Sequence, residues 1–339
     1  MSKLTQYLLI FLVLGIVAII VILKYQPRLS QNIPTPNPTP QLSASPEGEI
    51  TFILAGDAMF GRAVYAQFHD DLKEAFENLE PSFFQNRDIA LLNLEGPIMP
   101  NEFTPDTNPN NLMMKFPAQV SEVLKWLNIN AVSLANNHTA NQGAEALAFT
   151  RENLAEKQIT TIGDPQNAAD LVKSFEKNGL KISIIALNIL ANTPDIAALI
   201  AEQKENSTLV IIFPHWGGEY ETIHSATQEK LAQSWIESGA DLVVGSHPHV
   251  IQDAQIYQNR PIFYCLGNFL FDQTFSVNTQ RGLVLAGKIS QDKLTLELLP
   301  VKSVHLKVQL LQGEEKDAIT NSLKKSLGFE ADPITFNLK

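Results

Sequence analysis

The chain has 339 residues, of which 36 are acidic and 25 are basic, so its formal net charge is −11. This length suits one sizeable α/β domain with accessory segments, and the acidic balance argues against nucleic acid as a partner because phosphate binding needs a basic face. The single cysteine, Cys265, excludes a disulfide within the chain, and its place in the apolar run IFYCLG predicts a small buried strand residue.

The first segment predicts a membrane anchor. No charged residue lies between Lys3 and Lys24, and Tyr7 to Leu23 is almost wholly apolar. At a helical rise of about 1.5 Å per residue, this stretch is long enough to cross a bilayer. A cleaved signal peptide is the competing interpretation, but the run is long for one and no small-x-small site follows it closely. We therefore expect residues 1–25 to form a cytoplasmic tip and one uncleaved transmembrane helix.

Residues 26–48 are predicted to be a linker. The stretch contains six prolines among Ser, Thr, Asn and Gln, a composition typical of a semi-rigid extended spacer. Spacers of this kind hold a domain away from a surface, so we expect residues 49–312 to form a domain outside the cytoplasmic membrane. Residues 313–339 carry no recognisable chemistry and are predicted to be a C-terminal tail.

From residue 49 onward, short β-rich runs alternate with helical patterns, which is typical of a layered α/β fold. In the first half of the domain we predict strands at 51–56, 88–96 and 131–136, and helices at roughly 70–79, 117–129 and 143–157. Later strands are predicted at 181–187, 208–213, 241–244 and 261–266, and the alternation after Gly282 predicts antiparallel strands.

Short polar clusters, most of them directly after an apolar run, are the main functional signal. They are GDAMFGR (56–62), NLEGP (93–97), ANNH (135–138), HWGGE (215–219), SHPHV (246–250) and GNFLFDQ (267–273). Because an α/β sheet delivers the ends of its strands to one edge, we expect these clusters to lie close together.

The clusters contain a mixed set of oxygen and imidazole ligands. Such a set suits one or two divalent ions, namely manganese, iron or zinc. The candidate ligands are Asp57, Glu95, Asn137, His215, His247 and His249. His138 also lies in a cluster, whereas the remaining histidines, His69, His224 and His305, lie outside and are predicted to be surface or packing residues.

Several of these residues also have a purely structural interpretation. Asn137 is of a type that often caps a helix or closes a turn, His215 could pack as an aromatic pair with Trp216, and Asp57 could simply end a strand. Arg62 could clamp an anionic substrate through paired hydrogen bonds or could pair with a structural carboxylate.

The stretch between Pro97 and Pro117 predicts a long loop beside the site, rich in proline and asparagine. Long loops within domains are often lids or binding loops. A surface insertion without a role is the alternative.

These clusters resemble those of the bacterial capsule-synthesis protein CapA family, whose best-known members serve poly-γ-glutamate production. The resemblance covers roughly residues 49–301. It implies an α/β fold similar to calcineurin-like metallophosphoesterases, which have a β-sandwich flanked by helices and a two-metal centre at the strand ends.

The resemblance also implies roles for individual residues. It assigns Asp57, Glu95 and His249 to a first ion, and Glu95, Asn137, His215 and His247 to a second. His138 matches the histidine that protonates a leaving group. The chain departs from the phosphoesterase pattern at Met59, where a ligand histidine is usual, so the first ion site is predicted to be the weaker of the two.

Around these ligands we expect two kinds of supporting residue. The residues expected to hold an anionic substrate are Arg62, Lys115 and Asn136. The residues expected to orient ligand imidazoles are Glu219, Asn268 and Asp272.

Three functions are compatible with the sequence. The first is a membrane-anchored metallohydrolase acting on a phosphoester or on a peptide-like bond of a surface polymer, which need not involve capsule. The second is a protein of capsule or poly-γ-glutamate biosynthesis and export, which handles an anionic polymer beside membrane synthase or export partners. The third is a non-catalytic scaffold that binds polymer and holds at most one structural ion. The resemblance favours the second, with a divalent-metal site and an extracytoplasmic domain.

Overall fold

The computed structural model of the chain describes residues 48–80, 82–100, 106, 108, 110–330 and 333–338. The predicted anchor, residues 1–25, lies outside the described residues, as does all of the predicted linker except Gly48. Within the described ranges, no helix is both long enough and apolar enough to cross a membrane.

The larger of two β-sheets contains both parallel and antiparallel strands. Its strands are β1 (Glu49–Ala58), β2 (Ile89–Leu94), β3 (Ala131–Ser133), β4 (Thr160–Ile162), β11 (Asn268–Leu270), β12 (Arg281–Ser290), β13 (Lys293–Val304), β14 (Lys307–Leu310) and β15 (Ile334–Asn337). The order is β14-β13-β12-β1-β2-β3-β4, with β11 paired to β1 and β15 paired to β13. Strand β1 pairs in parallel with β2 and β11 and antiparallel with β12, so it divides the sheet into two halves.

The smaller sheet is parallel at its centre. Its strands are β5 (Val172–Lys177), β6 (Leu180–Asn188), β7 (Leu209–His215), β8 (Leu242–Val244), β9 (Ala254–Tyr257) and β10 (Arg260–Phe263). The order is β5-β6-β7-β8-β10-β9, in which β6, β7, β8 and β10 run parallel.

The two sheets pack face to face through a shared apolar core. Because side chains alternate along a strand, Phe52 and Leu54 of β1 enter the core between the sheets, whereas Ile53 and Ala55 enter the core on the outer face. Strands β6 and β7 divide their side chains in the same way. Strands buried on both faces are nearly continuous apolar runs, and this is why the sequence pattern of the central strands was easy to recognise.

Helices cover both outer faces of the sandwich. The helices are α1 (Arg62–Phe68), α2 (Val120–Trp126), α3 (Gly143–Glu156), α4 (Ala197–Asn206), α5 (Ala226–Glu237) and α6 (Gly313–Leu327). The first three contribute buried residues to the outer core of the larger sheet, and α4 and α5 do so for the smaller sheet. The predicted α/β class, with a two-sheet sandwich flanked by helices, is thus confirmed.

The predicted C-terminal tail is integrated into the fold. Strand β15 pairs antiparallel with β13, and α6 contacts both β13 and β9, which belong to different sheets. Leu323 and Leu327 of α6 join the core between the sheets, together with Phe336 of β15. The sparse apolar residues of this segment therefore close one side of the sandwich.

Most predicted strands and helices are present, but the helix predicted at 70–79 is wrong. In its place are α1, which begins at Arg62, and a short 3₁₀ helix at Leu72–Phe76. The side chain of Asp71 accepts a hydrogen bond from the Lys73 N–H, which caps this 3₁₀ helix as a separate element. Cys265 is buried, as predicted.

Candidate metal centre

The candidate ligands converge because the parallel strands of both sheets end at one edge of the sandwich. In the larger sheet, Asp57 lies at the end of β1 and Glu95 directly follows β2, while in the smaller sheet His215 ends β7. His247 and His249 follow β8, where Ser246 forms a bridge with His215. The site is therefore built by both sheets together.

Asp57 is held in place by close backbone packing. Its N–H donates to the carbonyl of Gly267 at 3.0 Å, just before β11. Gly56 precedes it, and a Cβ atom at Gly56 would lie 1.9 Å from that same carbonyl oxygen. Only glycine at residue 56 allows β1 and β11 to approach this closely, so it fixes the position of Asp57.

Two groups of side chains share one carboxylate. The first ligand group is Asp57, Glu95 and His249, and the second ligand group is Glu95, His215 and His247; in each, the ligand atoms lie within 4.8 Å of one another. These two groups contain the residues that the resemblance assigned to a first and a second ion. Asn137 adds to the second group, because its Oδ1 lies 2.8 Å from His215 Nε2.

Buried atoms without partners indicate that a cation fits these groups. Among the described residues, Glu95 Oε1 and His247 Nδ1 are buried and have no hydrogen-bond partner. Buried polar atoms are nearly always satisfied, and leaving one unsatisfied costs about 1–3 kcal/mol. A carboxylate oxygen and an imidazole nitrogen are both ligand atoms for divalent ions, so the residues present fit such an ion.

Backbone strain is concentrated at the same place. His247 and His249 adopt positive φ angles of 99° and 59°, which are uncommon for residues with a side chain. Such conformations cost about 1–3 kcal/mol each and persist where surrounding contacts enforce them. Here Asp57 Oδ2 accepts a hydrogen bond from the His247 N–H at 3.1 Å, and the Tyr220 N–H donates to the Pro248 carbonyl at 2.8 Å.

The electrostatic environment also favours a cation. Burial raises the pKa of Glu95 well above its ordinary value, and nearby Asp57 adds to this shift. Burial lowers the pKa of His215 far below its ordinary value and that of His247 to about 4. Burial opposes the charge of His249 as well, but Glu95 and Asp57 outweigh it and raise its pKa to about 9. Two adjacent buried carboxyl groups are costly to ionise without a positive partner, and in the absence of an ion the protonated His249 fills that role. A bound divalent ion would replace this proton, since unprotonated imidazoles, as His215 and His247 already are, bind metal.

His138 presents one ring nitrogen to the site. Its Nδ1 lies 2.9 Å from Asn141 Oδ1, and the Met114 N–H donates to the same oxygen at 2.8 Å. Because that oxygen is an acceptor, Nδ1 of a neutral His138 carries the hydrogen. Its Nε2 lies 3.9 Å from Glu95 Oε1. Burial lowers the pKa of His138.

Comparison with known proteins places the chain in a family. The family model described as bacterial capsule synthesis protein PGA_cap matches residues 51–273, which include every polar cluster identified in the sequence. The chain belongs to this capsule-synthesis family.

Curated members of the capsule-synthesis family match most of the chain. The PGA biosynthesis protein CapA of Bacillus subtilis is 28% identical over 268 residues, which are 73% of this chain and 70% of that protein. The capsule biosynthesis protein CapA of Bacillus anthracis is 26% identical over 304 residues, which are 82% of this chain and 71% of that protein.

Solved structures are more distantly similar. The structure of Haemophilus influenzae NAD nucleotidase has 14% identity and a TM-score of 0.43, covering 83% of this chain and 64% of that chain.

One site residue of this family member was missed in the sequence. Asn93 Nδ2 lies 2.8 Å from Asp57 Oδ1, 3.3 Å from Glu95 Oε2 and 3.3 Å from His215 Nδ1. Asn93 is fully buried and therefore contacts members of both ligand groups. The signal was its place two residues before Glu95, since such a residue projects to the same side of a strand.

Asn136 has a different position from the one predicted. It is fully buried, and its Nδ2 donates to Asn93 Oδ1 at 3.0 Å and to the Leu94 carbonyl at 2.9 Å. Its Oδ1 accepts from the N–H groups of His138 and Thr139. Asn136 thus positions the turn that carries His138, and the predicted contact with substrate does not fit its burial.

Asn268 lies where its predicted role requires. Its Oδ1 is 3.0 Å from His249 Nδ1, and its Nδ2 donates to the Thr279 carbonyl at 2.9 Å. The oxygen therefore faces the imidazole and accepts its Nδ1 hydrogen. This orients His249 Nε2 towards Glu95 Oε1, which is 3.5 Å away.

Arg62 and Asp272 pair with each other. Arg62 Nε donates to Asp272 Oδ2 at 3.1 Å, and a second guanidinium nitrogen binds Asp272 Oδ1. Arg62 is buried and also lies over the Phe271 ring. The geometry favours the structural alternative for Arg62, and Asp272 fixes this arginine instead of orienting an imidazole.

The described part of the predicted loop lies against the site. Asn111 accepts a hydrogen bond from Arg62 through its carbonyl, and Met114 contacts Asn141, which orients His138. Hydrogen bonds within the loop lower the pKa of Asp106, and the charges of Lys115 and Arg62 add to this shift. Lys115 is half-buried, and its role in holding an anionic substrate stays a prediction.

Met59, the departure from the phosphoesterase pattern, is a core residue. It is fully buried in the outer core of the larger sheet. Its sulfur accepts the Gly61 N–H at 3.0 Å. The side chain therefore supports the turn into α1, and the first ligand group has no imidazole from this position.

Proposed function

We propose that this protein acts in capsule or poly-γ-glutamate biosynthesis, as a membrane-anchored protein with a divalent-metal site of metallophosphoesterase type. Membership of the capsule-synthesis family supports the biological role. The names of the two CapA relatives, which refer to PGA and capsule biosynthesis, support it further. The polymer handled would be anionic, such as poly-γ-glutamate.

The observation that carries the metal-dependent part is the pair of ligand groups that share Glu95. The unpartnered buried atoms of Glu95 and His247 lie within these groups. Without metal, the buried His247 Nδ1 would have no partner, and Glu95 Oε1 would have only the ion pair with His249 Nε2, 3.5 Å away.

The residues of the site have separable tasks. Asp57, Glu95 and His249 would hold one ion, and Glu95, Asn137, His215 and His247 would hold another. Divalent ions supply electrophilic stabilisation of a phosphoryl or acyl oxygen and make a nucleophile available near neutral pH. His138, whose Nδ1 hydrogen is held by Asn141, would take up a proton at Nε2 and pass it to a leaving group.

The surroundings of the site suit an external polymer handled locally. A chain with a net charge of −11 repels a polyanion overall, so attraction would come from bound cations and from Lys115. The apolar segment at residues 7–23 supports attachment to the cytoplasmic membrane, with the domain outside and beside membrane synthase or export proteins.

Polymer production tests this proposal directly. In the bacterium that carries the chain, the gene is deleted and complemented with the wild type, His138→Asn or His247→Ala, and surface polymer is measured at matched protein levels. We expect the wild type alone to restore polymer. Restoration by both variants would contradict a metal-dependent role and favour the scaffold. No polymer defect on deletion would contradict the role in capsule biosynthesis.

A parallel assay separates the two variants by mechanism. The purified full-length proteins are examined by elemental analysis and by hydrolysis of phosphodiester and γ-glutamyl substrates with manganese, iron or zinc. We expect His138→Asn to keep its metal content near normal and to lose turnover by about 100-fold or more. Full activity of His138→Asn would exclude this residue as the proton donor.

A further inference from the structure

We infer that Glu219 is a direct ligand of the metal centre, at the position where its two ion sites face solvent. This inference rests on the proposed function, since it concerns the same site. It changes the role expected for Glu219 from orienting an imidazole to binding an ion itself.

The first observation is a third ligand group. A carboxylate oxygen of Glu219 lies with ring nitrogens of His247 and His249, all within 4.8 Å of one another. His249 belongs to the first ligand group and His247 to the second, so Glu219 reaches both. Glu95 reaches both groups from the buried side, whereas Glu219 is exposed.

The second observation is that His247 lacks a partner. Its Nδ1 is buried and unpartnered among the described residues, and the residue as a whole is 5% exposed. A buried imidazole nitrogen of this kind has lost its hydrogen bonds to water, and no group of the protein replaces them. A cation between His247 and the carboxylates would satisfy it, and Glu219 is one of those carboxylates.

The backbone holds Glu219 over the two histidines. The next residue, Tyr220, has a positive φ of 66° and donates its N–H to the carbonyl of Pro248, which lies between His247 and His249. The loop that carries Glu219 is thus fastened to the turn that carries both imidazoles.

The side chain of Tyr220, next to Glu219, is also held at the site. Gln273 Nε2 donates a hydrogen bond to the Tyr220 hydroxyl at 3.2 Å, and the Tyr220 ring lies 6.2 Å from the ring of His249. The residue that follows Glu219 is therefore fixed to the site by its side chain as well as by its backbone.

The departure at Met59 leaves the first ligand group short of a side chain. Because Met59 is buried in the core, that group has only Asp57, Glu95 and His249. Glu219 reaches this group at His249, and it reaches the second group at His247. A carboxylate from a different loop therefore lies beside one imidazole of each group.

Calorimetric titration of the full-length chain with Mn²⁺ tests the inference. The variant is Glu219→Ala, and the matched control is Glu221→Ala, which removes the same charge from the same exposed loop but from a residue outside the three ligand groups. Loss of a residue that only orients a ligand weakens metal binding by about 10–100-fold. We expect Glu219→Ala to weaken binding of one Mn²⁺ at least to that extent, and Glu221→Ala to leave it within about two-fold.

A second readout identifies the lost bond. Removing a protein ligand opens a position to water, so Glu219→Ala is expected to increase the water-proton relaxation produced by each bound Mn²⁺, and Glu221→Ala is not. Equal affinities and equal relaxation in the two variants would overturn the inference while leaving the metal centre intact. If the wild-type chain binds no divalent ion, both the inference and the metal-dependent part of the proposed function fail.

Discussion

The two halves of the larger sheet, which meet at β1, differ in what they contribute. The parallel half is made by β2, β3, β4 and β11. Glu95, Asn137 and His138 lie in the turns that follow β2 and β3, and Asn268 is the first residue of β11. The antiparallel half, β12 to β15, carries none of the predicted site residues, and it is closed by α6. Within one sheet, the parallel half thus supplies the candidate ligands, and the antiparallel half contributes to stability.

The difference follows from strand direction. Parallel strands bring their carboxyl ends to one edge, where polar side chains can converge, and here this convergence requires buried carboxyl groups and strained histidines. Antiparallel strands joined by short turns alternate their direction, so they gather no such edge but pair over long stretches, as β12 and β13 do from Arg281 to Ser290. The apolar side chains that these antiparallel strands bury contribute stability, which offsets the free-energy cost of the buried carboxyl groups and strained histidines.

The largest effect on metal binding is expected from a substitution at His247, at the edge where the ligand groups lie. His247→Ala removes a ligand and should abolish binding of the second ion, beyond the about 10–100-fold loss that follows removal of an orienting residue. Because the side chain bears an unpartnered buried nitrogen, the free energy of unfolding without metal should change little. Elemental analysis and calorimetric titration measure the loss. Unchanged metal stoichiometry would refute the ligand assignment.

In the antiparallel half, the largest effect on stability is expected from a substitution at Phe336 on β15. Phe336 is 2% exposed and lies edge-on to Phe329. Phe336→Ala is expected to lower the free energy of unfolding by about 3–5 kcal/mol, while the folded protein keeps its affinity for metal. Thr335→Ala, at an exposed position of the same strand, is the control. Urea unfolding and Mn²⁺ titration are compared, and a large loss of metal affinity in folded Phe336→Ala would contradict the separation of the two halves.

The same division explains how far the sequence could be read. Strands such as β1, β6 and β7 were predictable because both faces are buried and the runs are continuously apolar. The ligands were predictable because rare residue types follow those runs. The docking of α6 was not, since it depends on a few apolar residues, such as Leu323 and Leu327, that meet their partners only in the folded chain.

It was harder to predict what each residue does in the site than to predict which residues lie there. Arg62 and Asp272 were both identified, yet nothing local shows that they bind each other across 210 positions. Asn93, in contrast, was not predicted to be a site residue. An asparagine within a strand gives little indication of its role until the fold brings Asp57, Glu95 and His215 next to it. Sequence patterns locate an edge, but they do not assign its hydrogen bonds.

A smaller effect is expected from Asn93, which supports ligands without being one. Asn93→Ala should leave the number of bound ions unchanged and weaken their binding by about 10–100-fold, because Asp57 and His215 lose a shared positioning contact. Asn188→Ala is a matched control, since Asn188 is also buried at a strand end but donates to the Pro165 carbonyl. Calorimetric titration of both variants decides the matter, and equal affinities would show that Asn93 serves folding alone.

The smallest effect is expected in the antiparallel half, at the charged contact between α6 and the sheet. Hydrogen bonds from Lys302 and Arg281 lower the pKa of Glu315. Because the folded pKa lies below the unfolded value of about 4.3, the carboxylate adds stability at neutral pH, and this is lost as the pH falls through the folded pKa. Glu315 is partly exposed, so Glu315→Gln should cost less than about 1 kcal/mol at pH 7. The difference from wild type in urea unfolding should shrink towards pH 4, and at pH 7 the variant should bind Mn²⁺ with the same affinity as the wild type. An effect of this surface change on metal binding would mean that the two halves are coupled through β1, and the stability of one could not then be altered without altering the chemistry of the other.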